Sequence, residues 1–303
     1  MGKRAYDLIK SEGHKVVFLM SHNRVTGIPG STPREAFFQG KTTIVVGVRR
    51  TLDFAGCKPS AHYQLPLVTG CPGICEYCYL NTQLGKKPYM RLYVNVEEIL
   101  SQAAKYIEAR KPETTVFEAA ATSDPLPGER YTGALARAIE FFAGQEYGRL
   151  RFVTKFTLID SLLEVKHNMH TRIRYSLNTP KVIHQFEHRT PPSEARLEAL
   201  GRIIEHGYPA GIIIAPVILD SGWEDQYGDL LHRIKDSLSG KFGDITFEII
   251  SHRFTSRART NITAVFPETA LPMDESSDRR YKYGQFGYGK YVYSEDKLKY
   301  MKE

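Results

Sequence analysis

The stretch that decides the fold is TGCPGICEYCYL, residues 69–80. It holds Cys71, Cys75 and Cys78 in the spacing C-x3-C-x2-C. Three thiolates on one short loop can hold three irons of a four-iron cluster and leave the fourth iron open for a substrate or cofactor. A zinc site completed by Cys57 is the alternative, but structural zinc usually pairs two short Cys-x2-Cys knuckles and this chain has one. Disulfides are disfavoured, because three cysteines so close together do not form a secreted disulfide framework.

From about residue 64, short β-branched or aromatic runs alternate with stretches of helical period, which is typical of βαβ units on a parallel sheet. The predicted strands are Gln64 to Thr69, Thr114 to Ala119, Leu150 to Lys155, Thr171 to Leu177, Gly211 to Ile218 and Asp244 to Ile250. The predicted intervening helices start near Val96, Gly133, Leu158, Ser193 and Tyr227. Six parallel strands form an open sheet or a partial barrel. In both arrangements binding groups gather at the carboxyl ends of the strands.

Two flanks lie outside this α/β core of residues 61–250. Residues 1–60 form an N-terminal flank with a helix-like opening and a probable strand from Thr42 to Val48. Residues 251–303 abandon the βα alternation. Within them, Arg279 to Tyr293 interleaves basic and aromatic residues around glycines, which predicts a twisted β-hairpin.

The composition is that of a globular protein with a basic surplus. The 303 residues carry a net charge of +7, with an isoelectric point near 9.1, which suggests a polyanionic partner such as nucleic acid. Disordered, collagen-like and coiled-coil classes are excluded by these proportions. The N-terminus has charges where a signal peptide needs an apolar core, and no run approaches the ~20 apolar residues of a membrane span. We therefore expect a cytoplasmic protein that does not enter the membrane.

Tyr77, directly before the last cysteine of the loop, completes the radical S-adenosylmethionine signature C-x3-C-x-aromatic-C. The loop, the segment RFVTKF at 151–156 and the segment RYKYG at 280–284 resemble the spore photoproduct lyase family, and the resemblance runs from about Ser21 to Tyr293. It implies a partial (β/α)6 barrel of the radical SAM type with a C-terminal β-hairpin extension. The implied cofactors are a 4Fe-4S cluster held by the three loop cysteines and S-adenosyl-L-methionine.

The resemblance also implies an activity. The family reverses the spore photoproduct, 5-thyminyl-5,6-dihydrothymine, to two thymines directly in double-stranded DNA. A 5′-deoxyadenosyl radical takes a hydrogen atom from the lesion, the bond between the thymines breaks, and the remaining thymine radical needs one hydrogen atom back. The implied partners are lesion-containing DNA and an electron donor such as flavodoxin or ferredoxin, and we expect a monomer.

Several residues match family positions with known roles. Ser123, Lys155 and Ser176 match positions that contact S-adenosylmethionine, and all three fall at predicted strand ends. The alternative is that they only cap the strands or face solvent. Tyr77 and Tyr79 match two tyrosines of the radical-return path. Packing beside the cluster is the simpler role for either phenol.

By the same resemblance, the C-terminal hairpin enters the DNA and holds the flipped lesion. Arg280 can neutralise phosphate, and Tyr281 and Tyr283 offer faces for unstacked bases. A hairpin whose tyrosines only cover the core is the structural alternative.

The chain departs from the family at one decisive position. The family's hydrogen-donating cysteine falls where this chain has Ala121, and alanine cannot donate a hydrogen atom. The chain is then an inactivated variant, a radical enzyme with another substrate, or a lyase whose donor lies elsewhere. Cys57 is the one thiol outside the cluster motif, and we predict that it is the relocated donor. A zinc-stabilised DNA-binding module without catalysis is the alternative from another class.

Overall fold

The computed structural model describes residues 1–20, 24–119, 122–240, 244–275, 278–284, 287 and 289–303. The helices are α1 (Gly2–Ser11), α2 (Pro33–Lys41), α3 (Leu80–Gln83), α4 (Val96–Glu108), α5 (Leu126–Thr132), α6 (Ala134–Ala143), α7 (Asp160–Leu163), α8 (Pro180–Phe186), α9 (Ser193–Glu205), α10 (Trp223–Ser237), α11 (Ser256–Val265) and α12 (Glu295–Tyr300). The strands are β1 (Ile44–Gly47), β2 (Gly56–Cys57), β3 (Ala61–Leu65), β4 (Val68–Thr69), β5 (Ile74–Cys75), β6 (Met90–Tyr93), β7 (Thr115–Ala119), β8 (Gly148–Thr154), β9 (Thr171–Leu177), β10 (Glu187–His188), β11 (Ala210–Val217), β12 (Ile245–Ser251), β13 (Arg279–Tyr283) and β14 (Gly289–Tyr293).

A curled seven-stranded sheet is the frame of the molecule, in the order β12-β11-β9-β8-β7-β3-β2. Its strands β3, β7, β8, β9, β11 and β12 are parallel to their neighbours, and β2 pairs antiparallel with β3 at one edge. The predicted half-barrel of six parallel strands is therefore confirmed. The helices after these strands pack against one face of the sheet in a common apolar core, and the other face is the inner side of the half-barrel.

Two details differ from the sequence prediction. The run predicted as one strand from Gln64 to Thr69 is two strands, β3 and β4, because Pro66 lacks the N–H that would continue the ladder. After this break β4 joins a separate three-stranded sheet of order β1-β6-β4. In addition, β2 comes from the N-terminal flank but belongs to the barrel sheet, so Cys57 sits beside the first barrel strand.

Burial along β8 shows how the sheet divides its side chains. Leu150, Phe152 and Thr154 are buried towards the helices, and the alternate residue Arg151 points to the inner side. Arg151 and Arg174 there share the carboxylates of Glu118 and Glu248, with N–O distances of 2.9 and 3.0 Å for Arg151 and 2.6 Å from Arg174 to Glu248. The inside of the half-barrel is thus polar, and ion pairs link its strands.

The C-terminal extension closes over the carboxyl end of the sheet. A second apolar cluster packs α2, α8, α11 and the loop around Ile74 together, with Phe37, Phe186 and Phe266 among its members. The hairpin β13–β14 and the short helix α12 follow. Within the described part of the chain, every helix is too short or too polar to cross a membrane.

Candidate active site

The cysteine loop leaves β4 through a tight turn at Gly70. Gly70 has φ +84°, a conformation that favours glycine. A Cβ there would also lie 2.5 Å from the carbonyl oxygen of Tyr89, so a larger residue would clash. The loop is then held from behind by Lys41, whose buried Nζ donates hydrogen bonds to the carbonyl oxygens of Cys71 and Gly73 at 3.0 and 2.8 Å. These two hydrogen bonds hold the backbone of the cysteine loop in place.

Cys75 is buried, and Cys71 and Cys78 are partly exposed. Burial raises the pKa of Cys71 to about 12, and the charges of Asp124 and Cys78 add to the effect. Burial also raises the pKa of Cys75, while Lys155 opposes the shift. Without a metal, Cys71 and Cys75 stay protonated at neutral pH. They become ligands when the positive charge of iron stabilises the thiolates.

All four cysteines are free thiols. Among the described residues, no three His, Cys, Asp or Glu side chains come together as ligands of one metal ion. In a four-iron cluster each thiolate binds a different iron. Cys71, Cys75 and Cys78, on one short loop, are the residues that could hold three of these irons.

A buried charge network lies directly beneath the loop, where β5 pairs with β10 and Cys75 stands opposite Glu187. The carboxylate of Glu187 accepts hydrogen bonds from Lys155 Nζ at 2.7 Å and from Arg196 Nη2 at 2.7 Å, and Tyr77 donates its hydroxyl to the same carboxylate. Burial alone would raise the pKa of Glu187, but the neighbouring charges of Lys155 and Arg196 lower it to about 2. Lys155 Nζ also donates to Tyr77 Oη at 3.0 Å.

The ends of the parallel strands meet beside this network. Asp124, just after β7, accepts hydrogen bonds from Thr154 Oγ1 at 3.0 Å and from the backbone N–H of Lys155 at 2.9 Å, which joins the ends of β7 and β8. Its burial raises the pKa of Asp124 to about 6. Ser123 forms a parallel bridge with Gly70 at the start of the cysteine loop.

The three residues predicted to contact S-adenosylmethionine therefore share one edge of the sheet. Ser123 follows β7, Lys155 follows β8, and Ser176 is buried near the end of β9. The carbonyl oxygen of Ser176 accepts a hydrogen bond from Arg196 Nη1 at 2.9 Å. The same arginine thus fixes both this strand end and Glu187.

Tyr79 directly follows Cys78, the last cysteine of the loop. Burial is the main cause that raises the pKa of Tyr79, followed by the charges of Cys78, Cys57 and Glu118. The phenol is therefore within electrostatic reach of a cluster ligand on one side and of Cys57 on the other. Cys57 itself stands opposite Ala61, the first residue of β3.

The environment of Cys57 keeps its thiol protonated. Burial raises the pKa of Cys57, and the carboxylate of Glu118 raises it further, against the opposing charges of Arg151 and Arg174. These are the charges on the inner side of the half-barrel. Ala121, the other position on which the hydrogen-donor prediction depends, lies outside the described residues.

The first strand of the hairpin presents two tyrosines to solvent. Tyr281 and Tyr283 are 53% and 74% exposed, which is more than a role in covering the core requires. Their rings meet edge to face with centroids 5.5 Å apart. Arg280 is partly exposed and forms an ion pair with Glu295, the first residue of α12.

The sequence did not reveal the residues that hold this site in place. Lys41 and Arg196 carry no local signal, because each becomes important only when the fold brings it beneath the loop. Glu187 follows a short helix and belongs to no motif. The capping box of Thr32 and Glu35 at the start of α2 is readable in the sequence and would have located the helix that carries Lys41.

A half-barrel of parallel strands with a three-cysteine cluster loop after the first of them defines a radical S-adenosylmethionine enzyme. The sequence matches the spore photoproduct lyase family over residues 1–303. The chain belongs to this family.

Individual relatives are similar along most of their length. The spore photoproduct lyase of Clostridium acetobutylicum is 56% identical over 280 residues, which is 92% of this chain and 82% of that protein. That of Bacillus subtilis is 46% identical over 304 residues, covering 100% of this chain and 89% of the relative.

Solved structures of spore photoproduct lyase have the same fold. One is a variant with a Cys→Ala and a Ser→Cys substitution, bound to AdoMet and dinucleoside spore photoproduct, with a TM-score of 0.95 and 47% identity, covering 99% of this chain and 88% of the other. Another, complexed with dinucleoside spore photoproduct, has a TM-score of 0.94 and 46% identity with the same coverage.

Proposed function

We propose that this chain reverses the spore photoproduct in DNA to two thymines, using S-adenosylmethionine and a 4Fe-4S cluster. The observation that carries the proposal is the close match, in fold and sequence, to a spore photoproduct lyase solved with both AdoMet and the dinucleoside lesion. The lesion is then the substrate that the inner side of the half-barrel receives. The electron donor for the cluster is a small redox protein such as flavodoxin or ferredoxin.

The cofactor residues divide into two groups. Cys71, Cys75 and Cys78 hold the cluster, and Ser123 and Ser176 bind S-adenosylmethionine from the ends of β7 and β9. When bound, the two cofactors supply the radical that takes a hydrogen atom from the lesion.

Lys155 completes the cofactor site. It donates to S-adenosylmethionine from a position fixed by Glu187, since the 2.7 Å ion pair limits where the ammonium can point. Because Arg196 neutralises the same carboxylate, Lys155 keeps its charge available for the anionic carboxylate of the cofactor.

Cys57 returns the hydrogen atom to the thymine radical. The homolysis of its S–H bond gives the hydrogen to carbon and leaves a thiyl radical, and Tyr79 then gives its phenolic hydrogen to that sulfur. The radical left on Tyr79 would take a hydrogen atom from the hydroxyl of Tyr77, and the radical left on Tyr77 would take one from the methyl group of 5′-deoxyadenosine when the cofactor is bound, which closes the cycle. Support comes from the chain itself: Tyr79 directly follows Cys78 in the cysteine loop, and Cys57 is a free thiol at the edge of the half-barrel sheet.

Two observations favour Cys57 over an inactive chain. Cys57 is a free thiol whose raised pKa retains the S–H bond that donation needs. In addition, the relative solved with both AdoMet and the lesion combines a lost cysteine with a gained one. This chain has the same combination of residue types, with Ala121 and Cys57.

The hairpin holds the DNA. Arg280 exchanges Glu295 for a phosphate, and the exposed rings of Tyr281 and Tyr283 offer faces against which the flipped lesion and its unstacked neighbours rest. The net charge of +7 attracts the duplex.

The experiment that tests the function is repair of the dinucleoside lesion by anaerobically reconstituted protein. We expect about four irons per chain, cleavage of S-adenosylmethionine under reducing conditions, and release of thymine. Cys71→Ala is the control and should lose both cluster and cofactor cleavage. Cofactor cleavage without any thymine from the lesion would refute the assignment in favour of a radical enzyme with another substrate.

A further inference from the structure

The base of the hairpin is fixed by one buried arginine that no catalytic role accounts for. Arg279 donates from Nη1 to the carbonyl oxygen of His252 at 2.8 Å, and from Nη2 to His252 Nδ1 at 3.0 Å and to the carbonyl oxygen of Pro272 at 3.0 Å. His252 directly follows β12, and Pro272 lies in the segment that leads to the hairpin. The guanidinium thus ties β13 to the carboxyl end of the barrel sheet.

The second tie runs through Tyr293 on the partner strand. The guanidinium of Arg279 stacks on the ring of Tyr293 at 3.7 Å from its centroid, and the Tyr293 hydroxyl accepts a hydrogen bond from the backbone N–H of Leu219 at 3.0 Å. Leu219 follows β11. Both strands of the hairpin are therefore bound to the ends of the last two barrel strands.

A line of aromatic rings continues from this base to the exposed tyrosines. Phe254 and Tyr291 exchange two backbone hydrogen bonds of 3.2 and 2.8 Å and stack with centroids 5.1 Å apart. Tyr291 contacts Tyr281 edge to face, also at 5.1 Å. Gly289 leaves room for Tyr281, because a Cβ at Gly289 would overlap the Tyr281 ring. The orientation of Tyr281 is thus set by the backbone on which it packs.

Strand geometry links the anchor to the lesion-facing residues. Side chains alternate along a strand, so Arg279, Tyr281 and Tyr283 project on one face of β13 and Arg280 on the other. A rotation of the strand at Arg279 therefore moves all the exposed side chains together. We propose that Arg279 is a positioning residue, which sets the height and angle of the hairpin over the mouth of the half-barrel so that Tyr281 meets the lesion. This inference rests on the proposed role of the hairpin in holding DNA.

Lysine cannot replace the arginine in this role. The three hydrogen bonds and the stacking need a planar fork with several donors, whereas an ammonium is a point charge on a flexible stem. Arg279→Lys keeps the positive charge but loses the planar guanidinium that makes these contacts. This conservative variant therefore tests the positioning of the hairpin without a change of charge.

The test compares Arg279→Lys with Arg259→Lys, which makes the same change at a half-exposed arginine of α11 paired with Glu275 at 2.8 Å. Iron content, cofactor cleavage without substrate, repair of lesion DNA and binding of undamaged duplex are measured for each. We expect Arg279→Lys to lower kcat/KM on lesion DNA by roughly tenfold to a hundredfold, the range that a misplacement of about 1 Å produces. Iron content and cofactor cleavage should stay within about twofold of wild type. Duplex binding should do the same, because Arg280 keeps its charge and the attraction to phosphate tolerates a shift of about 1 Å that stacking on the lesion does not.

A purely structural role predicts another pattern. Loss of folded protein would lower iron content, cofactor cleavage and repair in the same proportion, and that result would overturn the proposal. Wild-type kcat/KM in Arg279→Lys would also overturn it. Gly289→Ala provides a second perturbation, since it displaces Tyr281 without touching Arg279 and should reproduce the loss of lesion repair. If an Arg280→Ala, Tyr281→Ala double variant repairs normally, the proposed DNA role of the hairpin fails instead.

Discussion

Replacement of Cys57 by alanine separates a relocated hydrogen donor from an inactive chain. The half-buried thiol makes few contacts that alanine would lose, so we expect Cys57→Ala to change the free energy of unfolding by no more than about 1 kcal/mol. The cluster ligands and the Glu187 network are untouched. Cofactor cleavage and fragmentation of the lesion should therefore continue at about the wild-type rate, while the stranded thymine radical is diverted into adducts.

The pH dependence of clean repair follows from the thiol. The donor is the protonated form, and the pKa of Cys57 is raised above its ordinary value of 9.0 by burial and by Glu118. At pH 8 less than about one tenth of the thiol is ionised, so the thymine yield should be constant from pH 7 to 8. The yield should fall as the pH rises through the pKa of the folded protein. Cofactor cleavage measured in the same samples provides the reference.

The assay is product analysis on lesion dinucleotide under anaerobic, reducing conditions. The matched rescue is Ala121→Cys in the Cys57→Ala background, which returns a thiol to the position where the family carries its donor. We expect the rescue to restore thymine as the main product. An unchanged thymine yield in Cys57→Ala alone would refute the donor assignment, and with it the reasoning from the raised pKa.

Two further predictions concern charge. Glu187→Gln leaves Lys155 and Arg196 as buried cations without their anion and should lower the free energy of unfolding by about 3–5 kcal/mol in denaturant titrations. The carboxylate of Glu187, with its pKa lowered to about 2, stabilises the wild type fully above pH ~4.5 and less as the pH falls towards 2, so the variant should lack this acid-dependent loss. Equal stability of both proteins at pH 7 would contradict the network. On the hairpin, Arg280→Ala should reduce the salt dependence of duplex binding by about one phosphate contact, and Glu295→Gln should tighten binding a few-fold at low salt because it frees Arg280. Identical salt slopes would show that Arg280 does not contact phosphate.

The fold was largely predictable because its signals are local. Alternating β-branched runs and helical periods located all six parallel strands of the half-barrel to within a few residues, apart from the break that Pro66 introduces after Leu65. The C-x3-C-x2-C spacing identified the cluster loop for the same reason. Each of these patterns is written in consecutive residues.

The interactions that hold the site in place were not predictable, since they join residues that are distant in sequence. Lys41 reaches the carbonyls of the cluster loop from a helix 30 positions earlier. Arg279 and His252 form a buried pair across 27 positions. No periodicity or motif marks such residues, because the fold itself brings together the partner that satisfies each buried charge.

The position of the hydrogen donor illustrates which parts of the site are interchangeable. A cluster needs three thiolates at a fixed spacing, so we expect its proposed ligands Cys71, Cys75 and Cys78 not to be exchangeable with other positions. A hydrogen donor needs one protonated thiol that reaches the substrate, and any strand beside the inner side of the half-barrel can supply it. In the sheet, β7 leads to position 121 and is separated from β2, which carries Cys57, by one strand, β3. We therefore expect a thiol at either position to serve the same radical.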